Sequence, residues 1–381
     1  RYDFLNLNTC RFLWKQVKFP TATDASNTTA QVLKQGEVQG SDVAAHSAGV
    51  LDIKTTILPD ADALFLTAID RYGHELWRWT FPVNKLNQAN EVLSPLSNKV
   101  TSTETENELT VKAKNHTFIF SKKDGQLKGV SVNNRKISFA NGPRFIGARR
   151  ADRSLDQFYN HDDEKAKEKD RTYSEFPDAA VFTKLDVKED GGNLIVTADY
   201  KLGNLDKVQW TINPNGEAVL DYTYNFSGVV DLMGICFDYP EDQVISKRWL
   251  GAGPYRVWQN RIHGTQYDVW ENDYNDPIPG ETFTYPEFKG YFGSVSWMNI
   301  RTKEGTISLT NETPDAYIGV YQPRDGRDRL LYTLPESGIS VLNVIPPVRN
   351  KVNSTDLCGP SSQPKWVNGP QSGRIIFRFM E

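Results

Sequence analysis

Leu194-Ile195-Val196-Thr197-Ala198-Asp199-Tyr200 and, further along, Val219-Leu220-Asp221-Tyr222-Thr223-Tyr224 are the stretches that decide the fold class. Large apolar side chains recur at every second position: Leu194, Val196, Ala198 and Tyr200 in the first, Leu220, Tyr222 and Tyr224 in the second. That period sends alternate side chains to opposite faces of an extended strand, one covered and one wetter. The same alternation runs through Leu51-Asp52-Ile53-Lys54-Thr55-Thr56-Ile57, Leu64-Phe65-Leu66-Thr67-Ala68-Ile69-Asp70 and Arg374-Ile375-Ile376-Phe377-Arg378-Phe379. β-Branched and aromatic residues fill these runs, and Gly, Pro, Asn and Asp bound them. Lys123-Asp124-Gly125 and Asn133-Asn134 supply turn chemistry between such runs. No stretch of about a dozen residues carries a helical apolar stripe outside the loops. Many short strands with frequent turns predict an all-β chain of the sandwich kind, not a parallel sheet with crossover helices.

The chain has 381 residues, of which 38% are apolar and 24% charged, a globular balance with room for about two to three domains. Its net charge of −4 leaves no basic footprint for nucleic acid, and no apolar run approaches membrane-spanning length. The start at Arg1, without Met or signal peptide, fits either mature processing or a cut at a domain edge. Cys10, Cys236 and Cys358 are too few and too scattered for a disulfide framework or a zinc site, and are expected to be free and mostly buried. Five Asn-x-Ser/Thr sequons, at Asn27, Asn115, Asn225, Asn311 and Asn353, match chance in a chain this rich in Asn, Ser and Thr and do not argue secretion. Nine Trp, sixteen Tyr and nineteen Phe are the compositional signal. Aromatic rings fill the space between β-sheets, and they also stack on sugars.

A first unit is expected over residues 1–83, with Trp14 on an early strand, a turn at Gly36 and Gly40, and a closing strand Glu75-Leu76-Trp77-Arg78-Trp79-Thr80-Phe81. Its length fits an immunoglobulin-like sandwich of roughly six or seven strands. Residues 84–107 are polar and aperiodic and read as a linker. Residues 108–381 continue without a break in pattern, too long for an ordinary sandwich.

Trp249-Leu250-Gly251-Ala252-Gly253-Pro254-Tyr255-Arg256-Val257-Trp258-Gln259-Asn260-Arg261 resembles a motif in the last domain of family 2 glycoside hydrolases of the β-galactosidase type, W-x-G-x-G-P-x-E-x-Y-x-D-R. The Gly-x-Gly-Pro core and Arg261 stand here, while Arg256, Trp258 and Asn260 occupy the Glu, Tyr and Asp positions. Tyr2-Asp3-Phe4-Leu5-Asn6-Leu7 with Phe12-Leu13-Trp14 is similar to the opening of the immunoglobulin-like domain that follows the barrel in those enzymes. Phe118-Ile119-Phe120 through Gly125-Gln126-Leu127 resembles the first hairpin of their galactose-mutarotase-like supersandwich. Gly142-Pro143-Arg144-Phe145 with Arg149-Arg150-Ala151-Asp152 looks like their "G-P … W-R-A-P-T-D-N-D" stretch, without its Trp and its Pro-Thr-Asp-Asn. Asn350 to Cys358-Gly359-Pro360 is similar to the loop "G-x-G-x-x-S-C-G-P" that reaches the active-site mouth, with the family's glycines absent.

The resemblance covers nearly the whole chain in order. It implies an immunoglobulin-like sandwich followed by a large β-supersandwich, forming the non-catalytic C-terminal portion of a glycosidase. Its implied partners are a carbohydrate and the catalytic barrel of the same protein, with no cofactor and no metal. A retaining glycosidase needs paired carboxyl groups about 5 Å apart, and in that family both sit on the barrel, so no catalytic residue is expected here. A polysaccharide-degrading role would place such a protein in the periplasm or outside the cell. The alternatives are a self-standing carbohydrate-binding sandwich and a mutarotase-like epimerase, which would use a His acid and a Glu base such as His263 and Glu287.

Trp258, Trp270, Tyr267, Tyr274 and Trp297, mixed with Arg261, His263, Asp268 and Glu271, suggest a carbohydrate cleft, because a pyranose presents apolar C–H faces and hydroxyl edges. Gly253-Pro254 forces a turn, so Trp258, Arg261 and His263 are expected to leave the sheet edge and face solvent. With Glu287 and the loop carrying Cys358 and Trp366, they would line one concave face. The charge run His161 to Arg171 reads as a solvated loop. Phosphate loops, His-Glu-x-x-His pairs and nucleophile elbows are absent from the sequence.

Overall fold

The computed structural model describes residues 5–24, 29–84, 99–150, 173–176, 179–272, 290–320, 337–347, 361 and 363–381. The first strands are β1 (Arg11–Lys18), β2 (Gln31–Gln39), β3 (Ala63–Ile69) and β4 (Glu75–Pro82). Then follow β5 (Thr101–Glu104), β6 (Glu108–Ala113), β7 (His116–Ser121), β8 (Leu127–Val132), β9 (Arg135–Ile137), β10 (Ala140–Arg150) and β11 (Tyr173–Glu175). Next come β12 (Val181–Asp190), β13 (Asn193–Lys201), β14 (Leu205–Ile212), β15 (Ala218–Val230), β16 (Leu232–Asp238) and β17 (Val244–Gly253). The last are β18 (Gln266–Asn272), β19 (Trp297–Thr302), β20 (Gly305–Asn311), β21 (Tyr317–Val320), β22 (Ile339–Val344) and β23 (Lys365–Met380). The chain is all-β: no α-helix occurs among the described residues, only short 3₁₀ turns such as Leu7–Thr9 and Glu241–Gln243.

The strands form three sheets. A nine-stranded sheet runs β12-β13-β14-β15-β23-β20-β19-β17-β18, and a ten-stranded one runs β21-β22-β16-β10-β8-β7-β6-β5, with β9 on β8 and β11 on β10. These two stack face to face, and the alternation read from the sequence is what lets them. Leu194, Val196 and Ala198 of β13 and Leu220, Tyr222 and Tyr224 of β15 all point into one continuous core. Across the gap they meet Phe118, Phe120, Phe139 and Phe237. Phe139 stacks on Phe237 at 4.5 Å between ring centroids and lies 5.2 Å from Phe377. Each such buried ring contributes about 1.5–3 kcal/mol. Asn133 and Asn134 take positive φ, as a tight hairpin turn between β8 and β9 requires.

β1 to β4 form a separate sheet in the order β2-β1-β3-β4. One of its faces packs on the nine-stranded sheet: Val17, Phe19, Ala63 and Phe65 meet Leu250 and Trp297. Polar clamps fix the contact. Trp297 Nε1 donates to Pro20 O at 3.0 Å, Asn299 Nδ2 to Ala22 O at 2.7 Å, and Arg248 Nη2 to Asp24 O at 2.6 Å. From β4, Thr80 Oγ1 donates to Tyr267 O at 2.9 Å, and Arg78 pairs with Asp268 at 2.8 Å. Burial holds the Asp268 carboxyl above its ordinary range, against the pull of Arg78 and of the Val269 N–H.

Some local expectations are corrected. Leu51 to Ile57 alternates like a strand but joins no ladder. The buried Gln16 side chain holds this segment: its Nε2 donates to Thr56 O at 2.8 Å and its Oε1 accepts from Leu58 N at 2.7 Å. Lys54 sits at φ +49, which breaks an extended run. The segment thus covers β1 as an irregular strap, with Leu51 packed against Phe12 and Ala68. Gly36 is not in a turn but inside β2, opposite Trp14. A Cβ there would lie 2.5 Å from the Trp14 ring, so only Gly lets the ring lie flat across the strand. Thr101–Glu104, inside the stretch read as linker, pairs with β6 as β5. Cys10 and Cys236 are free and buried, while Cys358 and the run His161 to Arg171 lie outside the described residues.

Candidate functional site

β17 ends at the cis peptide Gly253-Pro254, and the chain passes through two turns before it comes back as β18, antiparallel to β17. Val257 and Tyr291 exchange both backbone hydrogen bonds, at 2.7 and 2.8 Å. Arg261 N then donates to Trp258 O at 2.8 Å, closing a short turn, and a second turn follows with Gly264 at φ +95. Gln259 anchors this loop to a distant part of the chain. Its N–H donates to Pro346 O at 3.1 Å and its Nε2 to Gln363 O at 2.7 Å. The turn after β17 therefore sits beside the chain that leads into β23, where Trp366 pairs with Val229.

Trp258 does not face solvent. Its ring is 5% exposed and meets Tyr291 edge-on at 5.5 Å. With Tyr291 it packs among Ile146, Ala148, Leu232, Cys236, Leu342 and Ile345, on the outer surface of the ten-stranded sheet. The Val257–Tyr291 bridge and the Gln259 anchor turn the indole inward, where burying it is worth more than leaving it wet. The expectation that Gly253-Pro254 throws Trp258 out is thus corrected. Trp297 and most of Trp270 belong to the packing too: Trp270 Nε1 donates to Gly251 O and Gln266 O, at 3.2 and 3.0 Å.

Arg261 and His263 are exposed, as are Tyr255 and Ile262 of the same turn. Trp366 is 71% exposed. Gln259 ties the turn that carries Arg261 and His263 to Gln363, three residues before Trp366, which stands on β23 and not in the expected loop. Glu287, Cys358 and Tyr274 lie outside the described residues. Sequence reasoning passed over Gln259, because a lone polar residue between Trp and Asn carries no periodic signal.

Behind the turn, Lys247 of β17 lies under Phe292, its Nζ 6.0 Å from the ring, with the Arg256 guanidinium 5.1 Å from the same ring. Burial pushes the Lys247 amine down to about 6; the positive charge of Arg256 adds to this and Glu241 opposes it. Among the described residues no group of three or more His, Cys, Asp or Glu could hold a metal ion. No helix among them is long and apolar enough to cross a membrane.

Most of this double sheet matches a known family. Residues 112–345 match the family described as β-galactosidase small chain. The chain belongs to that family. The match takes in β7 through β22 and the turn carrying Arg261 and His263, and leaves β5, most of β6 and β23 of the two large sheets outside it. The protein is also similar to solved structures at low identity. Galactose 1-epimerase from Lactobacillus acidophilus NCFM is 9% identical, with 74% of this chain and 98% of that one covered and a TM-score of 0.38. A GalM/aldose epimerase homologue from C. elegans is 8% identical, with 74% and 99% covered and a TM-score of 0.34. A copper-containing benzylamine oxidase from Hansenula polymorpha is 8% identical, with 98% and 77% covered and a TM-score of 0.30. No curated protein sequence matches the chain.

Proposed function

We propose that this chain is the C-terminal portion of a family 2 glycoside hydrolase of the β-galactosidase type, supporting a catalytic barrel and contributing to recognition of a carbohydrate. Membership in the β-galactosidase small chain family is the observation that carries this reading. On this reading residues 1–83, whose described strands form the single sheet β2-β1-β3-β4 and not the roughly six or seven strands of a full sandwich, stand for its immunoglobulin-like domain, and the galactose-mutarotase-like supersandwich begins with β5 at Thr101, inside the stretch expected as linker. The clamps from Pro20, Ala22 and Asp24 to β17 and β19 support a rigid mounting of the first unit on the second.

The recognition surface is the end of the double sheet around Gln259. There Arg261 offers a planar set of donors and Trp366 an open ring, the pair of groups a sugar needs. His263 stands on the same turn. Trp258 supports this surface from beneath and does not touch the ligand. Glu287 and Cys358 stay in the proposal on the resemblance alone.

The purified chain should not hydrolyse a nitrophenyl β-galactoside. Joined to a (β/α)8 segment encoded ahead of Arg1, it should. In that joined protein Trp366→Ala and Arg261→Ala should each lower kcat/KM by about ten-fold or more, with the melting temperature unchanged. Turnover by the isolated chain that disappears on mutating one Glu would sink the proposal.

A further inference from the structure

β4 is the edge strand of the four-stranded sheet. Trp77, Trp79 and Phe81 occupy alternate positions along it and are 36%, 41% and 46% exposed. Successive same-face side chains on a strand lie about 7 Å apart, so the rings form a regular row. Their cross-strand neighbours Ala68, Leu66 and Leu64 continue the row into an apolar floor. The opposite face of β4 is held down by Arg78 on Asp268 and Thr80 on Tyr267, so the row is firmly mounted.

The indoles themselves discriminate between occupants. Trp249, Trp270 and Trp297 each donate their N–H to a backbone carbonyl. Among the described residues, Trp77 and Trp79 have no such acceptor, and none of the three rings in the row stacks on another aromatic ring. An apolar protein or lipid surface laid over the row would leave both N–H groups without acceptors, which is costly. A sugar chain offers C–H faces to the rings and hydroxyl oxygens to the N–H groups. A repeated row suits an extended polymer better than one sugar, and the absence of charge along it suits a neutral one.

We propose that the outer face of β4 binds an extended, neutral polysaccharide chain, at a site distinct from the Gln259 junction. The site does not depend on a catalytic barrel, so it stands or falls separately from the function proposed above.

The test is electrophoresis of the native chain through gels containing soluble mixed-linkage β-glucan, β-galactan or a charged control, polygalacturonate. One of the neutral polymers should retard the protein. Trp77→Ala/Trp79→Ala should weaken that retardation about ten-fold or more, and Trp366→Ala should leave it intact. Trp79→Phe, which keeps the stacking face and loses the N–H, should fall between, and Phe81→Ala serves if the double variant does not fold. No retardation by either neutral polymer, or equal retardation of wild type and folded variants, overturns the proposal. So does a sedimenting dimer that Trp79→Ala dissociates, since the row then belongs to a second copy of the chain.

Discussion

β15 and β4 are written in the same alternating code, yet one is buried along most of a face and the other is exposed nearly throughout. In β15 every inward position from Ala218 to Phe226 is covered, because the ten-stranded sheet lies across it. In β4 Trp77, Trp79 and Phe81 have no strand of another sheet packed over them among the described residues. Period two states that a strand has two faces. It does not state what lies over either of them, and that is decided by residues far away in sequence.

The largest effect expected on this contrast is at Trp297, where the two regions meet. Trp297→Ala removes a fully buried ring and the bond to Pro20 O. It should destabilise the protein by about 3–5 kcal/mol. If the small sheet leans on the large ones for its stability, β1 to β4 should also melt first in the variant. Hydrogen exchange resolved by segment would show it, and uniform loss of protection would mean that the regions unfold as one.

Gly36→Ala comes next. Its Cβ would stand 2.5 Å from the Trp14 ring, which must move to admit it. The expected loss is about 1–3 kcal/mol, confined to the small sheet, and a denaturant titration followed by fluorescence measures it. An unchanged midpoint would show that Trp14 can swing aside, making the small sheet the softer of the two regions.

The smallest effect per step concerns pH and belongs to the large region alone. Lys247 is held at about 6 when folded, against 10.5 for its ordinary value. Between those values the unfolded chain binds the extra proton, so stability should rise as pH rises from about 6 towards 10. The contribution is on the order of 1 kcal/mol per pH unit at most, and below pH 6 it levels off. Lys247→Met should flatten that slope in urea midpoints taken across the window. An unaltered slope would assign it to other groups.

Much of the fold was legible in the sequence. β3, β13, β15 and β23 stand where alternation put them, and Asn133-Asn134 turns where its chemistry said it would. The failures share a cause. Leu51 to Ile57 alternates, but the Gln16 side chain took the backbone groups that a ladder would have used. Trp258 follows a Gly-Pro turn, but a bridge to Tyr291 and an anchor to Gln363 aimed it inward. Gly36 looked like a turn because its real partner, Trp14, is on another strand. In each case a contact across tens of residues overrode a local signal. Of the candidate site the sequence offered Arg261, His263 and Trp366 as exposed positions, which they are, and missed Gln259, whose bonds to Pro346 and Gln363 reach across about a hundred residues.

β23 lies between β15 and β20 in the nine-stranded sheet, and it is the last of those nine strands along the chain. It pairs with β15 from Ala218↔Phe377 to Val230↔Lys365, and with β20 from Thr306↔Met380 to Asn311↔Ile375. Until residues 365–380 arrive, the sheet is two half-sheets, each with an open edge at its centre. Closing it on the β15 side requires partners separated by well over a hundred residues, the kind of ordering that makes folding slow. During that interval β15 and β20 present unpaired backbone to the surroundings, an invitation to pair with another chain. The strand that unites the sheet in the finished molecule is therefore also the step at which a folding chain is most open to aggregation.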